Sequence, residues 1–147
     1  MESLIKDYLN MVSGLFTNGT PHKVFYSKLL KYGEMFPVEN VKKYGRADFP
    51  VKQRMCFRNA ILLSLHEPQI DYVQGFYMPS GIPLSLEHAF NLRGGKIIDT
   101  TAEMFNIPVD EYFGVVIPNN FVMEYFRKFS DRPVDMILNY YLETLEL

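Results

Sequence analysis

The stretch EHAFNLRGGKIIDTT, residues 87–101, decides the fold. Residues 87–92 and 96–100 are two short runs with the composition of strands, and Gly94 and Gly95 stand between them. A glycine pair at this spacing is a strong signal for a tight β-hairpin, because both turn residues of the favoured loop need positive φ angles. The sequence therefore predicts two antiparallel strands in the middle of the chain.

The register of this hairpin brings a histidine next to an aspartate. If a two-residue loop pairs Arg93 with Lys96, then Phe90 lies opposite Asp99. His88 shares the face of Phe90, so His88 and Asp99 become diagonal neighbours with backbones roughly 7 Å apart. A carboxylate there accepts a hydrogen bond from one imidazole nitrogen and leaves the other nitrogen free as a base. A register shift of one residue would put the two side chains on opposite faces.

The rest of the chain predicts helices around a small sheet. Apolar residues recur at helical spacing near both ends of the chain, whereas the segment at 55–65 is apolar almost all round and is predicted to be a buried helix. Pro21 suits the first turn of the second helix, and a capping sequence at 130–133 separates the last two helices. The predicted helices cover residues 4–15, 22–32, 55–65, 119–129 and 133–145.

Two further strands are expected, at 70–78 and 113–117, while residues 33–50 mix glycine, proline and charge and are predicted to be mostly loop. The expected class is α+β, with a central antiparallel sheet flanked by helices. A single domain is expected over residues 1–147, with N-terminal helices in 1–50, a core at about 52–118 and C-terminal helices in 119–147.

Composition narrows the class of function. The net charge is −2 and the pI is about 5.9, whereas a nucleic-acid-binding domain normally carries a basic stripe and a high pI. We interpret the one basic cluster as a solvated surface beside the site and expect no nucleic-acid partner. The cluster comprises Lys42, Lys43, Arg46, Lys52, Arg54 and Arg58.

The single cysteine, Cys56, indicates a reducing compartment, because the chain cannot form an internal disulfide. Residues 1–14 contain Glu2 and Asp7 and no long apolar run, so they predict neither a signal peptide nor a membrane span. We therefore expect a cytoplasmic protein with no membrane partner.

Cys56 stands where the buried helix is predicted to begin. The first-turn N–H groups of a helix are unpaired and its dipole is positive there, so both favour a thiolate. A neighbouring histidine would favour the thiolate further by forming a thiolate–imidazolium pair. The sequence thus offers a nucleophile, a base and an orienting carboxylate, each on an element suited to its role.

Simpler interpretations exist for each of these residues. A lone cysteine on an apolar helix is more often core, a lone histidine is more often structural, and Asp99 can simply cap a following helix. The occurrence of a cysteine, a histidine and an aspartate in this order favours a catalytic role for them. No zinc site is expected, because the spacing of the one cysteine and three histidines is not that of zinc ligands. The sequence also contains no phosphate-binding loop pattern.

The residues that carry this conjunction resemble a known family. The stretches Cys56-Phe57-x-Asn59-Ala60, 72–75, 87–91 and 97–101 resemble the core of the papain-like cysteine hydrolases, closest to the transglutaminase-like branch. In that branch a helix-starting cysteine is followed by a His-Ala-aromatic strand and then by an Asp-x-Thr strand. The resemblance covers about residues 52–118. The strand around 112–115 is similar to one in small members encoded by viruses and bacteria.

The resemblance implies roles for five residues. Cys56 would be the nucleophile, His88 the general base and then acid, and Asp99 the orienting residue. Asn91 is a rival for the orienting role, because papain-type enzymes use an asparagine, although strand alternation gives it the face opposite His88. The family pattern implies that the Cys56 backbone N–H and an upstream polar side chain, for which Gln53 is the nearby glutamine, stabilise the oxyanion.

Two functions follow as hypotheses. The first is a thiol-dependent hydrolase or acyltransferase that acts on an amide, peptide or isopeptide bond through a thioester. No cofactor is expected for this reaction. If the source is viral, the expected location is the host cytoplasm. The second is a catalytically silent binding module of the same fold that sequesters a protein or small-molecule partner.

Overall fold

The computed structural model describes residues 3–45, 55–129 and 133–147 and has an α+β architecture. Its helices are α1 (Leu4–Gly14), α2 (Pro21–Tyr32), α3 (Cys56–His66), α4 (Thr100–Met104), α5 (Asn119–Lys128) and α6 (Ile137–Glu143). Its strands are β1 (Glu34–Phe36), β2 (Asp71–Pro79), β3 (Leu86–Arg93), β4 (Lys96–Ile98) and β5 (Val109–Ile117). Short 3-10 turns lie at Val38–Asn40 and Val134–Met136.

The two N-terminal helices begin at side-chain caps. Ser3 accepts a hydrogen bond from the Lys6 N–H, and Thr20 accepts one from the Lys23 N–H. Each cap satisfies one of the otherwise unpaired N–H groups of the first turn. Pro21 occupies the first turn of α2, as predicted.

The strands form one antiparallel sheet in the order β1-β5-β2-β3-β4. Strands β2 and β5 approach each other closely where Gly75 lies opposite Gly114. A Cβ on Gly75 would lie 2.2 Å from the Phe113 carbonyl oxygen, so any larger residue there would push the two strands apart. This glycine pair lets β2 and β5 lie close together beside β3, the strand that carries His88.

The predicted hairpin is confirmed. Arg93 pairs with Lys96, and the turn glycines have φ angles of 55° at Gly94 and 79° at Gly95. The second strand is shorter than the predicted 96–100, because it ends at Ile98 and the chain turns there into α4. A strand that stops early leaves the side of β3 near His88 open to groups other than a strand.

Three other boundaries differ from the predictions. The predicted loop at 33–50 contains β1 and the Val38–Asn40 turn, because three residues pair with the edge of β5, while 46–50 lies outside the described residues. The predicted strand 113–117 is extended to Val109 by its pairing with β2. The last predicted helix starts as a 3-10 turn before α6, and the capping residues 130–132 lie outside the described part.

The helices gather over one face of the sheet. Helices α1, α2, α3, α5 and α6 share a core with strand residues such as Tyr72, Ala89 and Phe113. The opposite face carries a smaller cluster drawn from the strands: Phe36, Val73, Phe90, Leu92, Ile97 and Tyr112. Helix α3 is less buried than predicted, since Leu65 is 41% exposed.

No helix within residues 3–45, 55–129 or 133–147 is both long enough and apolar enough to cross a membrane.

Candidate active site

His88 and Asp99 form a buried hydrogen-bonded pair. The distance between His88 Nε2 and Asp99 Oδ2 is 2.7 Å, and the two residues are 2% and 3% exposed. The predicted contact is therefore present, although Asp99 lies just past the end of β4 instead of within it. Because Nε2 is engaged, Nδ1 is the ring nitrogen that remains for another partner.

Asp99 is the N-cap of α4 as well as the partner of His88. Its Oδ1 accepts the Ala102 backbone N–H at 3.1 Å, while its Oδ2 accepts the Tyr112 hydroxyl at 2.8 Å in addition to the contact with His88. The capping interpretation and the orienting interpretation thus hold together. The cap fixes one carboxylate oxygen, so the other oxygen is aimed at the imidazole.

The Asp99 carboxyl remains ionised despite its burial. Desolvation would raise its pKa, but the charge and hydrogen bond of His88, followed by the bonds from Ala102 and Tyr112, hold the pKa below its ordinary value. Accepting several hydrogen bonds favours the charged form of a carboxylate.

Cys56 is the first residue of α3 and is partly exposed. The residue before it, Met55, carries a thioether, which is a poor acceptor for the N–H groups of the first turn. The thiol lies close enough to His88 to help raise the pKa of the imidazole, so the helix start, the strand and the end of the hairpin meet at one point. All three residues predicted as a triad are brought together.

His88 holds a proton more tightly than an ordinary histidine. Burial alone would lower its pKa, but the charge and hydrogen bond of Asp99, together with the hydrogen bond and charge of Cys56, raise the pKa to about 9. At neutral pH the imidazole is therefore an imidazolium ion placed between a carboxylate and a sulfur.

This raised pKa predicts how stability depends on pH. A pKa of about 9 in the fold, against 6.5 in the unfolded chain, stabilises the fold below pH 6.5, and that stabilisation is lost as the pH rises to about 9. We expect the free energy of unfolding to fall by up to about 3 kcal/mol across this window. Urea unfolding of wild type and His88→Gln, which keeps a donor but does not titrate there, measures the difference. Parallel curves would contradict the charged pair.

Asn91 has a structural role. Its Nδ2 donates to the Ala60 carbonyl of α3 at 2.8 Å and to the Asp71 carbonyl at 3.1 Å, and its Oδ1 has no hydrogen-bond partner among the described residues. It thus fastens α3 to the sheet, while Asp99 is the residue bonded to His88. Gln53, the other candidate for the oxyanion or orienting role, lies outside the described residues.

Two tyrosines, Tyr77 and Tyr112, lie near His88. The Tyr77 ring stacks on the His88 ring, with centroids 3.8 Å apart and planes 15° from parallel. Tyr77 lies opposite Tyr112 in the ladder, and Tyr112 bonds Asp99. Only the pairing of β2 with β5, which joins distant parts of the sequence, reveals that both belong to the site.

A hydrogen bond between side chains joins the first turn of α3 to α4. The Asn59 side-chain amide donates to the Thr101 hydroxyl at 2.8 Å, and both residues are buried. This bond fixes the first turn of α3 relative to α4, and so fixes Cys56 relative to Asp99.

A cavity borders the site at Asp99. It has a volume of about 630 Å³, and its wall includes Asp99 and Tyr112. A second cavity, of about 350 Å³, lies along β2 and β3, and its wall includes Glu87 and Gly75 but none of Cys56, His88 and Asp99. The site therefore has open space beside its carboxylate.

The predicted basic cluster is described only in part. Lys42 and Lys43 are exposed and line the cavity of about 630 Å³ together with Asp99, and Arg58 on α3 is partly buried. Arg46, Lys52 and Arg54 lie outside the described residues, so the solvated-surface interpretation stays a prediction. His22 stacks on Phe16 with ring centroids 4.9 Å apart, and His66 is the last residue of α3. Within the described ranges, no three His, Cys, Asp or Glu side chains come together as a metal site would require.

Comparison of the chain with protein-family models, with curated proteins and with solved structures found no match.

Proposed function

We propose that the protein is a thiol-dependent hydrolase or acyltransferase that acts on an amide, peptide or isopeptide bond through a Cys56-His88-Asp99 triad. The observation that carries the proposal is that His88 Nε2 lies 2.7 Å from Asp99 Oδ2 while the Cys56 thiol is near enough to the same imidazole to help raise its pKa. An imidazolium beside sulfur favours the thiolate, which is the nucleophilic form of cysteine.

In the first half of the proposed reaction, the Cys56 thiolate attacks the carbonyl carbon and a C–S bond forms. The carbonyl electrons move onto oxygen, and the resulting oxyanion then collapses with cleavage of the C–N bond. The leaving amine takes the proton of the His88 imidazolium, so His88 acts as general acid. The products of this half are a free amine and a thioester on Cys56.

In the second half, neutral His88 takes a proton from water or from an acceptor amine as that molecule attacks the thioester carbonyl. The C–S bond breaks, the thiolate returns and the acid or new amide leaves. Asp99 keeps Nε2 protonated and the ring oriented throughout, so that Nδ1 carries the moving proton.

The start of α3 is suited to stabilise the oxyanion. Cys56 is the first helical residue, where backbone N–H groups are unpaired and the helix dipole is positive. We assign the Cys56 backbone N–H as one oxyanion donor. The role of Gln53 as a second donor stays a prediction from the resemblance.

The arrangement supports a papain-like core of the transglutaminase-like kind, as a proposal about the fold. A cysteine at a helix start packs near a histidine on a strand, and an aspartate follows the adjacent strand. The order of the three along the chain is also that of the family. We also propose that the substrate is a protein or peptide. The proposed location is the cytoplasm, where a lone thiol stays reduced.

The pH dependence of Cys56 alkylation by iodoacetamide tests the proposal. Because the chain has a single cysteine, intact mass reports labelling of Cys56 directly. Fast labelling is expected at pH 6 in wild type, and we expect it to collapse in His88→Ala and His88→Gln. His22→Ala, which changes an exposed histidine away from the site, is the matched control.

Labelling that is slow at pH 6, with a midpoint of about 8.5 and no dependence on His88, would contradict the enzyme. The binding-module hypothesis would then become the better account, and partner capture would be the appropriate measurement.

A further inference from the structure

Tyr112 shares one carboxylate oxygen with His88. Its hydroxyl donates to Asp99 Oδ2 at 2.8 Å, and His88 Nε2 lies 2.7 Å from the same oxygen. Tyr112 is 2% exposed, and its ring packs at 4.8 Å from that of Phe90. Its position on β5 is fixed by pairing with β1 and β2. The contact therefore belongs to the packed interior of the protein.

Two donors on one oxygen compete for the same charge. A hydroxyl that donates to Oδ2 draws electron density away from His88, so the carboxylate holds the imidazole proton less strongly. The hydroxyl is a permanent donor, because burial and then the charge of Asp99 raise the pKa of Tyr112 far above its ordinary value.

The contact between Tyr112 and Asp99 lies at the wall of a cavity. Asp99 and Tyr112 both line the space of about 630 Å³, yet Asp99 is only 3% exposed. Asp99 is therefore shielded from solvent at a cavity wall that it shares with its hydrogen-bond partner Tyr112.

We propose that Tyr112 is a positioning residue, whose hydroxyl shares Asp99 Oδ2 with His88 Nε2 and thereby limits how strongly the carboxylate retains the imidazole proton. The role rests on the proposed function, since it matters for catalysis only if His88 must both hold and release a proton. Tyr112 acts through Asp99 and touches no reacting atom.

Three other titratable groups face His88. Cys56 approaches from α3, Asp99 from the start of α4 and Tyr77 from β2. A Tyr112→Phe change therefore alters one donor within an otherwise constant set of titratable neighbours, and its ring keeps the packing against Phe90.

The test is the titration of His88, followed by long-range ¹H–¹⁵N NMR of ¹⁵N-histidine protein. The chain has three histidines, so the His88 signal is assigned from the spectrum of His88→Gln. In Tyr112→Phe we expect the pKa of His88 to rise by at least about half a unit above the wild-type value, because Oδ2 regains basicity. An unchanged or lowered pKa would overturn the proposal.

A matched control removes a buried tyrosine hydroxyl elsewhere. Tyr125 is also 2% exposed and donates to the Pro133 carbonyl at 2.7 Å. Tyr125→Phe loses a comparable hydrogen bond and is expected to leave the His88 titration unchanged. An equal shift in this variant would show that general loosening moves the pKa, and the proposal would fail.

A second variant makes the donor stronger instead of removing it. Site-specific incorporation of 3,5-difluorotyrosine at position 112 gives a more acidic phenol, so the pKa of His88 is expected to fall. A rise with this residue, or a fall in Tyr112→Phe, overturns the proposal even if one of the variants folds poorly. The titration of His88 does not depend on catalytic turnover. If the variants titrate as expected but Cys56 is labelled slowly, the proposed enzymatic function is contradicted and the proposal for Tyr112 is not.

Discussion

Cys56→Ala is expected to abolish acyl transfer while leaving the fold intact. Cys56 is partly exposed at the start of α3, so the loss of one sulfur atom leaves no large cavity in the core. Removing the nucleophile of a triad hydrolase lowers kcat on the order of 10⁶-fold. The measurement is the burst of p-nitrophenolate from p-nitrophenyl acetate, an active ester that acylates an activated thiol whatever the natural substrate is.

Wild type is expected to release about one equivalent of p-nitrophenolate per chain in the burst and to gain one acetyl group by intact mass, since the chain has one cysteine. Leu65→Ala changes an exposed residue at the far end of the same helix and serves as the matched control, with an unchanged burst. A Cys56→Ala protein that still gives a burst would remove the thiol mechanism.

Asp99→Asn is expected to have the second-largest effect. The change removes the charge that raises the pKa of His88 and allows the amide to bind the ring in the wrong orientation. We expect the acylation rate to fall about 10⁴-fold and the pKa of His88 to fall from about 9 towards or below its ordinary value of 6.5. Burst kinetics and the histidine titration measure the two effects in the same protein.

Asn91→Ala is the comparison that identifies the orienting residue. Asn91 donates to the carbonyls of Ala60 and Asp71, so its loss should cost about 1–3 kcal/mol of unfolding free energy with little change in the titration of His88. If Asn91→Ala impaired acylation more than Asp99→Asn did, Asn91 and not Asp99 would be the orienting residue.

The part of the site that lies close together in sequence was predictable. Gly94 and Gly95 set the hairpin loop, the loop set the pairing of Arg93 with Lys96, and that register placed His88 beside Asp99. Each step is a local geometric rule, and an error of one residue would have separated the pair. The capping role of Asp99 was open as an alternative, and the structure shows that one carboxylate serves both purposes.

The features that sequence reasoning missed depend on contacts between distant segments. Strand β1 is three residues long and carries no periodic pattern of its own, so only its pairing with β5 defines it. Tyr112 looks like an ordinary strand residue until β5 is placed next to β2 and Asp99 is turned into α4. A strand pattern shows which residues alternate, but it does not show which strand lies beside it.

The pairing of Glu34 with Gly114 has a consequence for how the molecule assembles. Contacts within the β2–β3–β4 meander close short loops, whereas β1 and β5 meet across most of the chain length, and the loop entropy of such distant contacts slows their formation. The meander, with His88 and the end of β4 near each other, is expected to form early along the folding pathway. Tyr112 lies on β5, so the hydrogen bond from its hydroxyl to Asp99 is expected to be among the later ones to form.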